Sequence, residues 1–348
     1  MQSFVSEVLH QVSRGEALSA SSAESFMNHL MNGEISPVQT AGLLAAMAVR
    51  GESVDEIIGF ARAMRQNGIH VDTGLDVVDT CGTGGDGANT FNISTAAALV
   101  ASALGVPIAK HGNRAVSSRS GSADILSALG ARIDLDDMEA VSCLRNTNLC
   151  FLFAQTFHPA MKYAAEPRKQ LGFRTIFNIL GPLTNPAGAR RQVLGVYRPE
   201  LVEKVANALS SLGTEHALVV HGDGGIDELS IQGQTKVAEV KGARVTVFEI
   251  TPEDAGLQRA PISTVVGGNA DENAQILRDV FGGTPGPRRD IVLLNAGAVL
   301  YVGKKATSIP EGVRLAAEAI DSGRVQNQLE YFVQATHDVH NERTEVAQ

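Results

Sequence analysis

Apolar side chains recur at a helical period through the first 70 residues. Phe26, Met27, Leu30 and Met31 form a stripe that Gly33 ends, and Ser21-Ser22-Ala23-Glu24 ahead of it has the form of a capping box. Ser36-Pro37 supplies an N-cap and an N1 proline for a second helix, which buries Leu43, Leu44 and Met47 and stops at Gly51. Ser53-Val54-Asp55-Glu56 is a further capping box and opens a helix on Ile57, Phe60, Ala61 and Met64. Amphipathic helices this short enclose too small a core to stand alone. They are expected to pack on a larger domain or on a second subunit.

From Leu75 the pattern changes to short apolar runs alternating with helical ones. Strands are expected at Leu75–Val78, Val106–Ala109, Leu149–Phe153, Gln192–Val196, Ala217–Val220, Val245–Glu249 and Ile291–Leu294. Helices are expected between them, at Ser94–Leu104, Ser120–Leu129, Pro199–Leu212 and Asn269–Phe281. Such alternation implies a mainly parallel sheet covered by helices. The domains are expected at 1–72 (helical, joined by part of 160–185) and 73–335 (α/β), with a loose tail at 336–348.

One stretch interrupts this regularity with chemistry. Gly82, Gly84, Gly85 and Gly87 crowd into one turn after the first expected strand, and a helix is expected to begin near Asn92–Ser94. Glycines at that density let the backbone take positive φ and approach a ligand, and a helix N-terminus adds its positive end. From Ala88 to Ala123 there is no acidic residue, whereas Lys110, Arg114 and Arg119 are basic. In a chain of net charge −9, one region is thus cleared for a polyanion.

The glycines formally match G-x-G-x-x-G, but the acidic residue that a dinucleotide site wants about 20 positions on is missing, and Asn89-Thr90-Phe91-Asn92 delays the helix. No Gly-Lys-Ser/Thr follows, which excludes a Walker loop. The acidic balance and the absence of Trp disfavour nucleic acid as a partner. The longest apolar stretch, Ala96–Ala109, is too short to span a bilayer, and the N-terminus lacks a signal-peptide pattern. Cys81, Cys143 and Cys150 form no C-x-x-C pair and fit a reducing, cytoplasmic setting, with Cys81 read as a buried thiol.

Two further segments stand out. His158–Arg174 is unusually polar and could carry an arginine over the mouth of the sheet, or be a solvated helix and turn. His221-Gly222-Asp223-Gly224-Gly225-Ile226-Asp227-Glu228 follows an expected strand, at the end where open α/β sheets place ligands. Asp227 and Glu228 are hard oxygen ligands suited to Mg²⁺ opposite a polyphosphate.

Taken in order, these motifs resemble the anthranilate phosphoribosyltransferases of tryptophan biosynthesis. The resemblance runs through Gly82-Thr83-Gly84-Gly85-Asp86, Asn92-Ile93-Ser94-Thr95, Lys110–Ser118, His158-Pro159-Ala160-Met161-Lys162, Arg168, Arg174-Thr175-Ile176-Phe177-Asn178 and Asp227-Glu228. It implies a small N-terminal α-helical domain plus a large, mainly parallel-sheet α/β domain of the nucleoside phosphorylase/phosphoribosyltransferase-like, class III type. It also implies a cytoplasmic homodimer joined through the helical domains. The implied reaction moves a phosphoribosyl group from phosphoribosyl pyrophosphate (PRPP) to the amine of anthranilate.

By the same resemblance, PRPP is held by Gly82, Gly85, Asp86, Thr90, Asn92, Ile93, Ser94 and Thr95. The run Lys110, His111, Gly112, Asn113, Arg114, Ala115, Val116, Ser117 and Ser118, together with Ser122, completes that set. Gly82, Asn113 and Arg168 contact anthranilate, with His111 and His158 nearby, and Ser94, Asp227 and Glu228 serve two Mg²⁺ per subunit. The alternatives are a pyrimidine nucleoside phosphorylase-like enzyme using inorganic phosphate, which the acid pair disfavours, and a non-catalytic nucleic-acid-binding homologue, which the net charge disfavours.

Overall fold

The structure is a computed structural model that describes residues 2–115 and 119–346. Its strands are β1 (Val78–Gly82), β2 (Ile108–Gly112), β3 (Leu149–Phe153), β4 (Arg191–Gly195), β5 (His216–Gly222), β6 (Thr235–Lys241) and β7 (Arg244–Ile250). They form one sheet in the order β3-β2-β1-β4-β5-β6-β7. The first five run parallel, and β6 and β7 extend the sheet antiparallel. Strand order reverses between β1 and β4, and that reversal opens a crevice beyond the carboxyl ends of the two strands.

Alternation along the strands feeds two cores. Leu218 and Val220 of β5 join the core that holds Leu99, Ile125 and Leu294, whereas Ala217 and Val219 face one that holds Phe26, Leu43 and Phe60. The N-terminal helices therefore have no separate core. They share theirs with one face of the sheet, with the helix Leu201–Ser211 and with Ile176–Leu180 of the segment 154–190 between β3 and β4, the crossing segment. Capping sets their starts: Ser36 and Gln39 form a reciprocal box, as do Ser53 and Glu56. The fully buried Glu56 also accepts from the Leu18 amide at 3.0 Å and pairs with Arg50, which fixes how the helices meet.

Several expectations change. The helix over Ala20–Met31 is capped by Ser19, whose side chain accepts from the Ser22 amide, rather than opening at Ser21. Strand β1 lies beyond Leu75, which is 45% exposed, because the buried Asp79 and Thr80 belong to the sheet despite their polarity. Ile291–Leu294 is not a strand but part of the helix Pro287–Val302, which is covered all round. A four-residue apolar run has no period with which to show the difference. The expected loose tail at 336–348 is helical over its described residues, 336–346, since a helix runs over Arg324–Val346. Phe332, Ala335 and Val339 are buried, and Thr336 Oγ1 accepts from the Arg132 amide at 3.0 Å. Among the described residues, no helix is long and apolar enough to cross a membrane.

Close backbone approach at the ends of β1 and β4 sets the crevice floor. A Cβ on Gly195 would stand 1.5 Å from the carbonyl oxygen of Asp227, and one on Gly82 2.3 Å from Asp227 Oδ2. Gly195→Ala is therefore expected to force the Asp227 segment outward at a cost of ~1–3 kcal/mol, read as a lowered Tm together with lost turnover. A variant with unchanged Tm and full turnover would show that the floor tolerates the displacement.

Candidate active site

The crevice between the helical layer and the carboxyl ends of β1 and β2 is a cleft of about 430 Å³. Its glycine wall follows β1. Gly84 and Gly85 both have φ of 69° and Gly87 has φ of 85°, so this turn needs glycine for its backbone conformation as well as for space. Asp86, Asn89 and Thr90 continue the wall to the helix Ile93–Ala103. That helix opens at Asn92 without a side-chain cap, leaving its first amides for other acceptors. Asn92 is itself held, accepting from Asn273 at 3.0 Å and donating to the Ser120 carbonyl at 3.2 Å.

Opposite the turn lies the acid pair. Gly84 N–H donates to Asp227 Oδ2 at 2.6 Å, and Ser94 N–H donates to Glu228 Oε1 at 3.1 Å, on the positive end of the helix. Asp227 N–H points to Asp86 Oδ2 at 3.4 Å, which brings three acidic residues together. Burial raises the pKa of both acids, Asp227 to about 7 with Asp86 as the next cause, and Glu228 well above the ordinary carboxylate value with Asp227 as the next cause.

The basic wall comes from β2 and the loop after it. Lys110 is buried, donates to Ser94 Oγ at 3.2 Å and to the Thr80 carbonyl, and lies beside the buried Asp79. His111 is buried against His158, with ring centroids 5.1 Å apart. Burial and then His158 push the His111 pKa down to about 3, so its ring is neutral at physiological pH. His111 Nδ1 lies 3.2 Å from the Gly181 carbonyl, which can only accept, so Nδ1 carries the proton. Nε2 is then a bare acceptor, and it has no partner among the described residues.

Beyond His111, Gly112, Asn113, Arg114 and Ala115 line the cleft, as does Ser122. Arg114 is tied to Asp124 at 2.9 Å, and Asp124 also accepts from the Ala115 and Gly121 amides, so one carboxylate holds all three residues. Val116, Ser117 and Ser118 lie outside the described residues.

The crossing segment closes the far side. Arg168, on the helix Lys162–Leu171, is half-buried with its guanidinium 5.1 Å from the Phe177 ring centroid and no ion-pair partner among the described residues. Met64, Met161, Phe177 and Pro182 line the cleft beside it. None of these apolar residues is assigned to the site from the sequence, although Met161 and Phe177 lie within the motifs that carry the resemblance. Met64 reads there as one more member of a helical stripe, and nothing in its spacing distinguishes a cleft wall from a core. Cys81 also reaches the cleft, but its thiol is buried and its pKa is raised well above the ordinary value by burial, which removes it as a nucleophile.

The structure thus draws together Gly82, Gly85, Asp86, Thr90, Asn92, Ile93, Ser94 and Thr95, the described part of the basic run, Ser122, Arg168 and the acid pair around one cleft. Two family models cover the same architecture: glycosyl transferase family, helical bundle domain, over residues 6–68, and glycosyl transferase family, a/b domain, over residues 74–326. The chain is similar to the anthranilate phosphoribosyltransferase of Brevibacillus brevis, at 53% identity over 324 residues, 93% of this chain and 95% of that one. It superimposes on the Thermus thermophilus anthranilate phosphoribosyltransferase with a TM-score of 0.90 at 45% identity, covering 95% and 99% of the two chains. The Saccharomyces cerevisiae enzyme in complex with PRPP and Mg gives 0.87 at 28% identity, covering 97% and 99%. With both domains matched and the likeness running the length of the relatives, the chain belongs to the anthranilate phosphoribosyltransferase family.

Proposed function

We propose that the chain transfers the phosphoribosyl group of PRPP to the amine of anthranilate, releasing pyrophosphate and N-(5-phosphoribosyl)anthranilate, as a step of tryptophan biosynthesis. The observation that carries this reading is the pairing, across one cleft, of an acid pair under a glycine turn, Asp227 buried and Glu228 half-buried, with an arginine that has no ion-pair partner among the described residues and lies beside an apolar bed. One end suits a metal-bound polyphosphate and the other a flat aromatic carboxylate.

The donor set fits Mg²⁺ supplied together with phosphate. Among the described residues, no three His, Cys, Asp or Glu side chains converge as a ready-made cage. Two carboxylates and the Ser94 hydroxyl leave coordination to be completed by water and substrate oxygens, as this cation prefers. Asp227, Glu228 and Ser94 would hold it, at two ions per subunit. When bound, Mg²⁺ neutralises charge developing on the departing pyrophosphate.

The remaining work falls to positioning. The Gly82–Asp86 turn and the positive end of the helix Ile93–Ala103 orient the phosphates, with Lys110 bonded to Ser94 Oγ behind them. An aryl amine is neutral at pH 7 and needs no strong base. Its nitrogen bonds to the ribose carbon, the bond from that carbon to pyrophosphate breaks with its electron pair, and the new amine sheds a proton. His111, one of the cleft's lining residues, keeps Nε2 as an acceptor with no partner among the described residues, and that acceptor would orient the amine. Arg168 offers a planar fork for the carboxylate.

The helical domain carries a candidate dimer face. Val38 and Val49, 82% and 91% exposed, lie on one face of the helix Pro37–Arg50, with Gly42 and Ala45 between them at helical spacing. A homodimer through this stripe is part of the proposal. Val38→Glu combined with Val49→Glu is expected to yield a folded monomer in sedimentation. A dimer of undiminished affinity would place the interface elsewhere.

Loss of anthranilate fluorescence should require both PRPP and Mg²⁺, and a nucleoside with inorganic phosphate should not replace them. Arg168→Ala should raise the KM for anthranilate on the order of ten- to a hundredfold, the loss of a charge-assisted hydrogen bond, with the KM for PRPP nearly unchanged. The variant should also discriminate less between anthranilate and aniline. A defect confined to PRPP would move Arg168 to the phosphate end.

A further inference from the structure

We propose that Arg174 is a further binding residue for the pyrophosphate end of the substrate, standing as a preset cation at the rim of the glycine turn; this rests on the phosphoribosyl-transfer reading above. Arg174 ends the polar stretch that interrupts the strand–helix alternation, and it is exposed. Its guanidinium carbon lies 4.5 Å from the centroid of the Tyr197 ring. Among the described residues it makes no ion pair. An aromatic face holds a guanidinium in place without neutralising it. The charge is therefore fixed in position and still free to meet an anion.

What it stands beside makes the position specific. A Cβ on Gly85 would lie 3.1 Å from Arg174 Nε, so the glycine turn and the guanidinium are in contact. Gly85 thus serves twice, taking a φ of 69° and leaving room for the arginine. The seat is braced to the same turn: Tyr197 N–H donates to Thr83 Oγ1 at 3.1 Å, and Thr83 N–H donates to the Gly195 carbonyl at 2.9 Å. Turn, ring and guanidinium therefore form one unit, whose next residue, Gly84, donates to Asp227. A diphosphate brought to the acid pair by a metal would meet this turn, where the Arg174 guanidinium stands against Gly85.

The other arginines of the site do not fill this role. Arg114 is tied to Asp124, and Arg168 lies over Phe177 beside the apolar bed. Arg174 has a planar fork able to take two phosphate oxygens at once, which a lysine ammonium cannot reproduce. Because it belongs to the crossing segment, its capture of pyrophosphate would also draw that segment onto the turn.

Arg174→Gln and Arg174→Lys, in the full-length chain, test this. Titration calorimetry with Mg²⁺ and pyrophosphate, and separately with Mg²⁺ and PRPP, should show the glutamine variant weakened on the order of ten- to a hundredfold for both ligands. The lysine variant should be weakened less, with the KM for anthranilate and the Tm unchanged in both. Unchanged pyrophosphate affinity in the glutamine variant overturns the proposal. Equal weakening toward anthranilate and PRPP with a lowered Tm also overturns it, by making Arg174 a structural latch. If the unsubstituted protein consumes no anthranilate while the variants still lose pyrophosphate, the transfer reading fails and the anion site stands.

Discussion

Asp227 is wedged between the glycines that end two neighbouring strands, and the geometry of the cleft depends on that close approach. Gly82 and Gly195 are partners in the β1–β4 register, and neither leaves room for a side-chain atom against Asp227. Because these strands flank the reversal of strand order, the wedge puts a carboxylate at the bottom of the crevice rather than on its rim. Glu228, next in sequence, is carried onto the first turn of the helix Ile93–Ala103. Asp227 is thereby buried beside the half-buried Glu228 with Asp86 close by, and desolvation followed by the neighbouring carboxylates raises the pKa of both acids.

The two cores divide the labour around that point. One face of the sheet supports the helices that fix the glycine turn and β2. The other is shared with the helical layer, so the Met64 wall and the crossing segment with Arg168 and Phe177 are positioned by the same packing that holds β4 and β5. A polar, phosphate-suited end and an apolar, aromatic-suited end thus meet in one cleft because two packing layers meet over one sheet. His111 sits at their junction with its tautomer set by the Gly181 carbonyl, a partner donated by the crossing segment.

Much of this was legible where local chemistry is self-contained. Ser36-Pro37 and the Ser53–Glu56 box mark helix starts because capping involves only neighbouring residues. The β3 boundaries were evident because Leu149–Phe153 is continuously apolar. The glycine turn and Asp227-Glu228 stood out because both residue types are costly unless used. What escaped depends on partners distant in sequence. Asp79 and Thr80 are strand residues because the sheet buries them, and Ile291–Leu294 is helical because its surroundings cover every side. The helix through residues 336–346 looked like a tail because its charged positions hide a narrow stripe that docks on Arg132 and Gly130. Met64 and Tyr197 carry no local mark at all, since one lines the cleft and the other seats an arginine only once the layers are assembled.

The claim on which the rest hangs is that the Asp227–Glu228 pair and the phosphates of PRPP share a cation that neither holds well alone. Calorimetric titration of PRPP across a series of free Mg²⁺ concentrations tests it, in the unsubstituted protein and in one carrying Asp227→Asn with Glu228→Gln. Binding linkage is reciprocal, so a shared ion must make PRPP affinity rise with Mg²⁺ and Mg²⁺ affinity rise with PRPP by the same factor. The account predicts weak binding of Mg²⁺ alone, a PRPP affinity that climbs at least about tenfold with Mg²⁺, and a coupling that collapses in the substituted protein. Tight PRPP binding in chelator, or the same Mg²⁺ dependence in both proteins, would contradict it.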